Sequence, residues 1–168
     1  MRALAKLFWD ICLLRAGPQD VPASRELLAT VLGLSVLSNL IFVLGRTSLV
    51  DALVYVVSAL GILLGLVYVL LAVFGYRSRA VQTFTALSGT GLLLSVLATP
   101  VLFLALLVPG AANPFAWLLL MINIWGLVVI GHVLRHALSV HILQGGLLAL
   151  GYLYLNVELA EYLLPKAG

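Results

Sequence analysis

The chain has 168 residues, of which 64% are hydrophobic and 9% charged, and its formal net charge is +3 at pH 7. A soluble domain is nearer half apolar and a quarter charged, and a globule of this size has too little polar surface to coat so much apolar material. The composition therefore excludes a soluble enzyme, a disordered chain and a disulfide scaffold, and it predicts an integral membrane protein. Because the charges are few and scattered, no nucleic-acid partner is expected.

The first residues predict a short amphipathic helix. Arg2, Lys6 and Asp10 recur every four residues on one face. The opposite, apolar face comprises Leu4, Leu7, Phe8, Ile11 and Leu14. This pattern predicts a helix that lies in the membrane interface, and the alternative is a helix packed against the bundle. Gly17-Pro18 is expected to end it, so residues 1–25 are assigned to a cytoplasmic amphipathic segment and connector, and residues 26–168 to one transmembrane domain.

Uncharged runs divide the remaining chain into five predicted membrane spans. A span needs about 20 residues, so the long uncharged stretch after Arg79 must hold more than one. The segment Pro109-Gly110-Ala111-Ala112-Asn113-Pro114 divides it, since two prolines and a glycine interrupt helices strongly. The predicted spans are residues 27–44, 52–75, 81–108, 115–134 and 137–157. The predicted fold is an all-α, five-span transmembrane helix bundle with a short N-terminal interfacial helix.

Basic residues predict the orientation of this bundle. Seven fall on one side, namely Arg2, Lys6, Arg15, Arg25, Arg77, Arg79 and Arg135. Two, Arg46 and Lys166, fall on the other. The positive-inside rule then places the N-terminus in the cytoplasm and the C-terminus outside. The Leu/Ala/Val-rich composition favours a bacterial inner (cytoplasmic) membrane.

Small residues four positions apart predict close helix packing within the bundle. The pairs are Gly61 with Gly65, Gly91 with Ser95, and Gly145 with Ala149. A homodimer face is the alternative interpretation. Asn39 and Asn123 are expected to hydrogen-bond across helices.

The third predicted span is rich in hydroxyl groups, which precede Pro100, and this proline predicts a kink within the span. The hydroxyl residues are Thr83, Thr85, Ser88, Thr90, Ser95 and Thr99. They are expected to bond backbone groups of the helix, and the alternative is that they line a substrate path. No Asp, Glu, Lys or Arg lies near the centre of any predicted span, so coupled transport is not expected.

Basic and histidine side chains gather at the predicted cytoplasmic ends of the spans. The candidate lipid- or partner-contact residues are Arg77, Arg79, His132, Arg135, His136 and His141. A metal site built from the three histidines is the alternative, since His132 and His136 share a helix face. The sequence contains no nucleophile elbow, phosphate loop or HExxH motif, so neither an enzyme nor a bound cofactor is expected.

Three segments resemble the Yip-type membrane domain family, the Rab-interacting Yip proteins and their bacterial relatives. Residues 82–91 (QTFTALSGTG), running on to Pro100, are similar to the third span of the family. Residues 123–132 (NIWGLVVIGH) and 135–138 (RHAL) are similar to its fourth span and the following turn, and Gly17-Pro18 matches the end of the eukaryotic Asp-Leu-Tyr-Gly-Pro signature. The resemblance implies a five-span bundle with a cytoplasmic N-terminus. It also implies a non-enzymatic role in binding membrane proteins or shaping the bilayer.

The sequence thus predicts a non-catalytic membrane protein that acts through membrane lipids or other integral membrane proteins. The rival hypothesis is a small transporter or channel-like protein for an uncharged or lipid substrate, which would use the hydroxyl-rich third span. A third is a membrane-embedded metalloenzyme that uses the histidines.

Overall fold

The computed structural model describes residues 2–43, 48–108, 110 and 113–163, and within them the protein is all-helical with no strand. Its helices are α1 (Arg2–Cys12), α2 (Arg25–Val43), α3 (Leu49–Val73), α4 (Ala80–Leu107), α5 (Pro114–Leu138) and α6 (Ile142–Leu163). Short 3-10 turns at Pro18–Asp20 and Arg77–Arg79 precede α2 and α4. Two predicted outer charges, Arg46 and Lys166, lie outside the described residues, as does part of the predicted Pro109–Pro114 loop.

Four helices of the described chain are long and apolar enough to cross a membrane. They are α3, α5, α6 and the segment Arg77–Leu107, which contains α4. In each of these helices, only 11% to 28% of the most apolar 18-residue stretch is buried inside the protein. The remaining apolar surface faces outward, which is the pattern of helices surrounded by lipid. The prediction of an all-α fold is confirmed, and the four long apolar helices are compatible with an integral membrane protein. The 19-residue helix α2 covers most of the first predicted span but is not among the four, so the fifth span stays a prediction.

The long helices contact one another in the cyclic order α2, α4, α5, α6, α3, and α3 returns to α2. Helix α4 lies centrally and also contacts α1 and α3. Buried side chains of α3, α4 and α5 form the main core, which includes Val67, Leu71, Ala86, Leu87, Val133 and Leu134. Helix α1 packs across α4 and α5, so the N-terminal segment belongs to the bundle.

Polar side chains define where several helices begin. The hydroxyl oxygen of Ser24 accepts from Leu27 N–H at 3.1 Å at the start of α2, and that of Ser48 accepts from Asp51 N–H at 3.2 Å at the start of α3. Asn113 Oδ1 accepts from Phe115 N–H at 3.0 Å, while its Nδ2 donates to the Ala105 carbonyl at 2.7 Å. This one side chain therefore caps α5 and ties it to the end of α4.

Some predicted helix ends need correction. The fourth and fifth spans were expected at 115–134 and 137–157, whereas α5 continues to Leu138 and α6 begins at Ile142. The turn comes later because Ser139, in the left-handed conformation at φ 55°, ends α5, while Arg135 and His136 remain helical. Helix α1 likewise ends at Cys12, before Gly17, and is followed by Leu14 at φ 61°.

The predicted small-residue pairs differ in their surroundings. Gly145 and Ala149 are buried, and a Cβ added to Gly145 would lie 2.5 Å from the Gly131 carbonyl oxygen of α5. A Cβ added to Gly61, Gly65 or Gly91 would have no atom within 4 Å. The close packing expected at these three glycines is therefore not formed within one chain, because they face outward from the bundle. Ser95 does make an interhelical contact, a 2.8 Å hydrogen bond to Ser38 of α2.

Candidate functional site

The apolar face of α1 packs against protein. Phe8, Ile11 and Cys12 are buried, and the Trp125 indole N–H of α5 donates to the Cys12 carbonyl at 3.0 Å. The ring of Phe8 lies against Gly89 of α4. The sequence left open whether this face enters lipid or packs on the bundle, and these contacts favour packing on the bundle.

Cys12, the single cysteine of the chain, is buried where α1 packs against α4 and α5. Its Sγ lies 4.0 Å from the Thr90 carbonyl oxygen of α4. Burial raises the pKa of the Cys12 thiol to about 11, because a thiolate would lose its hydration there. The thiol is therefore neutral and unreactive at physiological pH while α1 is docked.

The connector, residues 13–24, is hydrogen-bonded to the ends of α4 and α5. His132 Nε2 of α5 lies 2.9 Å from the Ala16 carbonyl oxygen, and Gln82 Nε2 of α4 donates to the Val21 carbonyl at 2.8 Å. Because a carbonyl only accepts, the Nε2 of His132 carries a proton. These two bonds hold the connector over the same end of the bundle.

Arg79 lies in the turn between α3 and α4 and contacts the turn between α5 and α6 at the same end of the bundle. Its Nη1 donates to the Ala137 carbonyl at 3.0 Å and to Ser139 Oγ at 2.9 Å, and its guanidinium carbon lies 4.2 Å from the centre of the Tyr76 ring. A cation at the last carbonyls of α5 offsets the negative end of the helix dipole. Arg79 thus stabilises the turn between α5 and α6, whereas the neighbouring Arg77 is exposed.

Two adjoining cavities, both open to the surface, lie between the connector and the two turns. The first, about 230 Å³, lies against Arg79, Gln82 and Thr83, and the second, about 220 Å³, against Arg15, His132 and Arg135. Both cavities are lined by Gln19 and His136. The structure therefore brings together four of the six predicted contact residues, namely Arg79, His132, Arg135 and His136. Arg77 and His141 are exposed and line neither cavity.

Four further lining residues were missed as site candidates from the sequence, namely Arg15, Gln19, Asp20 and Gln82. Arg15 entered the orientation count, but nothing in the sequence indicated that the connector folds back over α5. Gln82 is the one amide near the start of α4, and that position was the available signal.

Positive charge predominates around the second cavity. Arg15 and Arg135 line it, with Asp20 the single carboxylate among its lining residues. Asp20 Oδ2 accepts from Gly17 N–H at 2.8 Å, which fixes the connector turn. The Nε of Arg135 is buried and has no hydrogen-bond partner, and no described carboxylate lies within 4.0 Å of its guanidinium nitrogens. A buried N–H without an acceptor is uncommon in folded proteins.

The three histidines are not assembled into a metal site. His132 and His136 stack edge to face with their ring centroids 4.6 Å apart, and His132 is bonded to the connector. His141 lies at the exposed start of α6, where its Nδ1 accepts from Leu143 N–H at 3.5 Å. Among the described residues no group of three His, Cys, Asp or Glu side chains is placed to hold a metal ion.

The hydroxyl groups of α4 mostly bond their own helix. Thr83 and Thr85 donate to the carbonyls of Arg79 and Val81 at 2.8 and 2.7 Å, and Thr90 donates to Ala86 at 2.8 Å. Thr83, Thr85, Ser88 and Thr90 are buried, and the half-buried Ser95 bonds Ser38 of α2. This arrangement favours a packing role for these hydroxyls over the substrate path of the rival transporter hypothesis. Helix α4 continues through Pro100 to Leu107.

The asparagine side chains in the spans form different hydrogen bonds from those that the sequence predicts. Asn39 and Asn123 donate to the carbonyls of Ser35 and Leu119 within their own helices, both at 2.8 Å, so the expected bonds across helices are not formed. Asn156 of α6 does bond across helices, and the sequence analysis missed it because it lies near the predicted end of the fifth span. Its Oδ1 accepts from the Tyr55 hydroxyl of α3 at 2.9 Å.

The end of the bundle that carries the connector offers guanidinium and amide donors beside two cavities. The hydroxyls that line the first cavity are engaged, since Thr83 donates to the Arg79 carbonyl and Ser139 accepts from the Arg79 guanidinium. No family model, curated protein or solved structure matches this chain.

Proposed function

We propose that this chain is a non-catalytic, Yip-like integral membrane protein that acts through anionic lipids or membrane-protein partners at one basic face. This basic face comprises Arg15, Arg77, Arg79, His132, Arg135 and His136. The observation that carries the proposal is the docked connector, which gathers cationic side chains from three separate segments at one end of the bundle.

The proposal includes five spans with the N-terminus in the cytoplasm of a bacterial inner membrane. Helix α2 is then the first span, and the basic face meets the cytoplasmic leaflet, where anionic lipids attract Arg and Lys. The charge bias of the sequence supports this orientation.

Cysteine labelling tests the orientation. Single cysteines are introduced at the exposed Ser48, Ser78 and Ser139 in a Cys12→Ala background, and intact cells are treated with a membrane-impermeant maleimide. Five spans predict that only Ser48→Cys is labelled before the cells are permeabilised. Labelling of Ser78→Cys or Ser139→Cys in intact cells would overturn the orientation. A fourth variant, Ala23→Cys, lies before α2, and its labelling together with Ser48→Cys in intact cells would show that α2 does not cross.

Co-purification tests the role of the basic face. The intact chain is crosslinked in membranes and extracted in mild detergent, and bound lipids and proteins are identified by mass spectrometry. We expect stoichiometric anionic lipid or a membrane partner, reduced in the Arg15→Glu/Arg77→Glu variant but not in Glu158→Gln, which lies on α6 away from this face. Recovery of neither lipid nor partner would contradict the proposal.

A further inference from the structure

We infer that the second cavity, called here the connector cavity, binds a phosphate group, presented either by a lipid headgroup or by free phosphate. Its lining includes Arg15, Gln19, Asp20, His132, Arg135 and His136. The inference rests on the proposed function in that it names the ligand chemistry of the same basic face.

The strongest indication is the unpartnered Nε of Arg135. This N–H is buried and has no acceptor among the described residues, although buried donors are nearly always satisfied. A guanidinium group presents several N–H donors in a planar fork that matches the oxygens of a phosphate. The Nε is shielded from solvent as it stands, but Arg135 lines the connector cavity, and a small turn of its guanidinium would bring these donors to an anion there.

The Arg135 side chain is also held in place before a ligand arrives. Helix α6 packs so closely here that a Cβ added to Gly145 would lie 2.9 Å from the Arg135 Cβ. On the opposite side, the His132 bond to the Ala16 carbonyl keeps the connector across the cavity. A pre-organised donor loses less conformational entropy on binding than a mobile surface arginine.

Arg15 supplies a second cation from the connector itself. It is exposed and has no carboxylate within 4.0 Å among the described residues, and so it is free to approach a ligand. Two guanidinium groups facing one lining carboxylate, Asp20, leave an excess of positive charge. A volume of about 220 Å³ accommodates a tetrahedral anion with some of its water, since one water takes up about 30 Å³.

Binding is measured on the full chain in an uncharged detergent with two probes. First, inorganic phosphate is titrated into the protein by calorimetry at constant ionic strength. Second, the protein is reconstituted into nanodiscs, and its binding to phosphatidylcholine vesicles is assayed with and without phosphatidic acid in the vesicles. Variants Arg135→Gln and Arg15→Gln are compared with Arg25→Gln, which removes an exposed cation that lies outside both the cavity and the basic face. Protection of Cys12 from alkylation reports whether each variant keeps α1 docked.

We expect Arg135→Gln and Arg15→Gln to weaken binding by about tenfold or more, which is the usual size of a lost hydrogen bond to a charged group. Arg25→Gln should change it by less than about twofold, as for an isolated surface charge. Binding of inorganic phosphate indicates a free-phosphate site, and binding of phosphatidic acid alone indicates a lipid headgroup site. If Arg135→Gln unfolds, Arg15→Gln decides.

The inference is overturned if neither probe binds in a manner that depends on Arg135 or Arg15, or if Arg25→Gln weakens binding equally. Its failure is separable from that of the proposed function. A co-purifying protein partner without phosphate binding would leave the proposed function intact. Phosphate binding that depends on Arg135, without any co-purifying lipid or partner, would support the connector cavity as a phosphate site but contradict the proposed function.

Discussion

Phe8 of α1 and Gly89 of α4 are in direct contact, and the ring of Phe8 occupies the space that a side chain at residue 89 would need. This pair determines how closely α1 approaches the bundle. The connector follows α1 directly and forms one wall of the connector cavity. The fit between these two residues therefore influences the geometry of the candidate site, although neither residue lines it.

Replacing Gly89 with alanine is predicted to displace α1. The added methyl group would overlap the Phe8 ring, and the loss of this contact would expose Cys12. Since burial raises the Cys12 pKa from 9.0 to about 11, we expect alkylation by N-ethylmaleimide at neutral pH to accelerate by about a hundredfold on full undocking. Gly91→Ala is the matched control, since a Cβ there meets nothing within 4 Å. Equal rates in the two variants would refute the prediction.

The same thiol predicts a pH dependence of α1 docking. Docking raises the Cys12 pKa from 9.0 to about 11, so the docked state favours the protonated thiol. The contribution of the protonated Cys12 thiol to the stability of the docked state is complete below pH 9 and is lost as the pH rises towards 11. Protection of the backbone amides of α1 against hydrogen exchange, corrected for the intrinsic pH dependence of exchange, should fall across this interval in the native chain. Cys12→Ala should remove this pH-dependent part, and a fall that persists in Cys12→Ala would contradict the assignment to Cys12.

The sequence pattern predicted the faces of α1 but not what covers the apolar one. An apolar face fits a lipid interface and a protein groove equally well, because both exclude water. The groove depends on Gly89, Thr90 and Trp125, which are distant from α1 in the chain. Local periodicity therefore could not identify it.

Span boundaries were predictable where prolines or polar residues interrupt the helix. They were less predictable where the backbone turns without such a signal. The segment around Asn113 was recognised from its prolines. The turn after α5 was placed too early, because Arg135 and His136 resemble loop residues although their side chains face the connector cavity. Ser139 at φ 55° gave no such signal, since serine rarely adopts this conformation.

Close packing between α5 and α6 makes Gly145 sensitive to substitution. Gly145→Ala would place a methyl group against the Gly131 carbonyl and the Arg135 backbone, which cannot move aside cheaply. We expect the free energy of unfolding to fall by about 1–3 kcal/mol, as in other overpacked cores. The adjacent Gly146→Ala is the control, because a Cβ there has no atom within 4 Å. Thermal unfolding in detergent compares the two, and a Gly145→Ala variant as stable as Gly146→Ala would show that the helices can separate without cost.

Asn156 connects α3 and α6 at the end of the bundle opposite the connector. Its side chain accepts from the Tyr55 hydroxyl at 2.9 Å, and its Nδ2 donates to the Tyr152 hydroxyl at 3.1 Å. Asn156→Ala should lower the free energy of unfolding by about 1 kcal/mol, which is typical of hydrogen bonds between membrane helices. Asn123→Ala is the control, because the exposed Asn123 amide bonds only the Leu119 carbonyl of its own helix.

A double-mutant cycle separates the interhelical bond from a general effect of losing the amide. In a Tyr55→Phe background, Asn156→Ala should cost less than in the native chain, and the difference gives the coupling between α3 and α6. Unfolding is followed by titration with sodium dodecyl sulfate in mixed micelles. A coupling of zero would mean that Tyr55 and Asn156 do not stabilise one another. The contact between α3 and α6 would then depend on apolar packing alone.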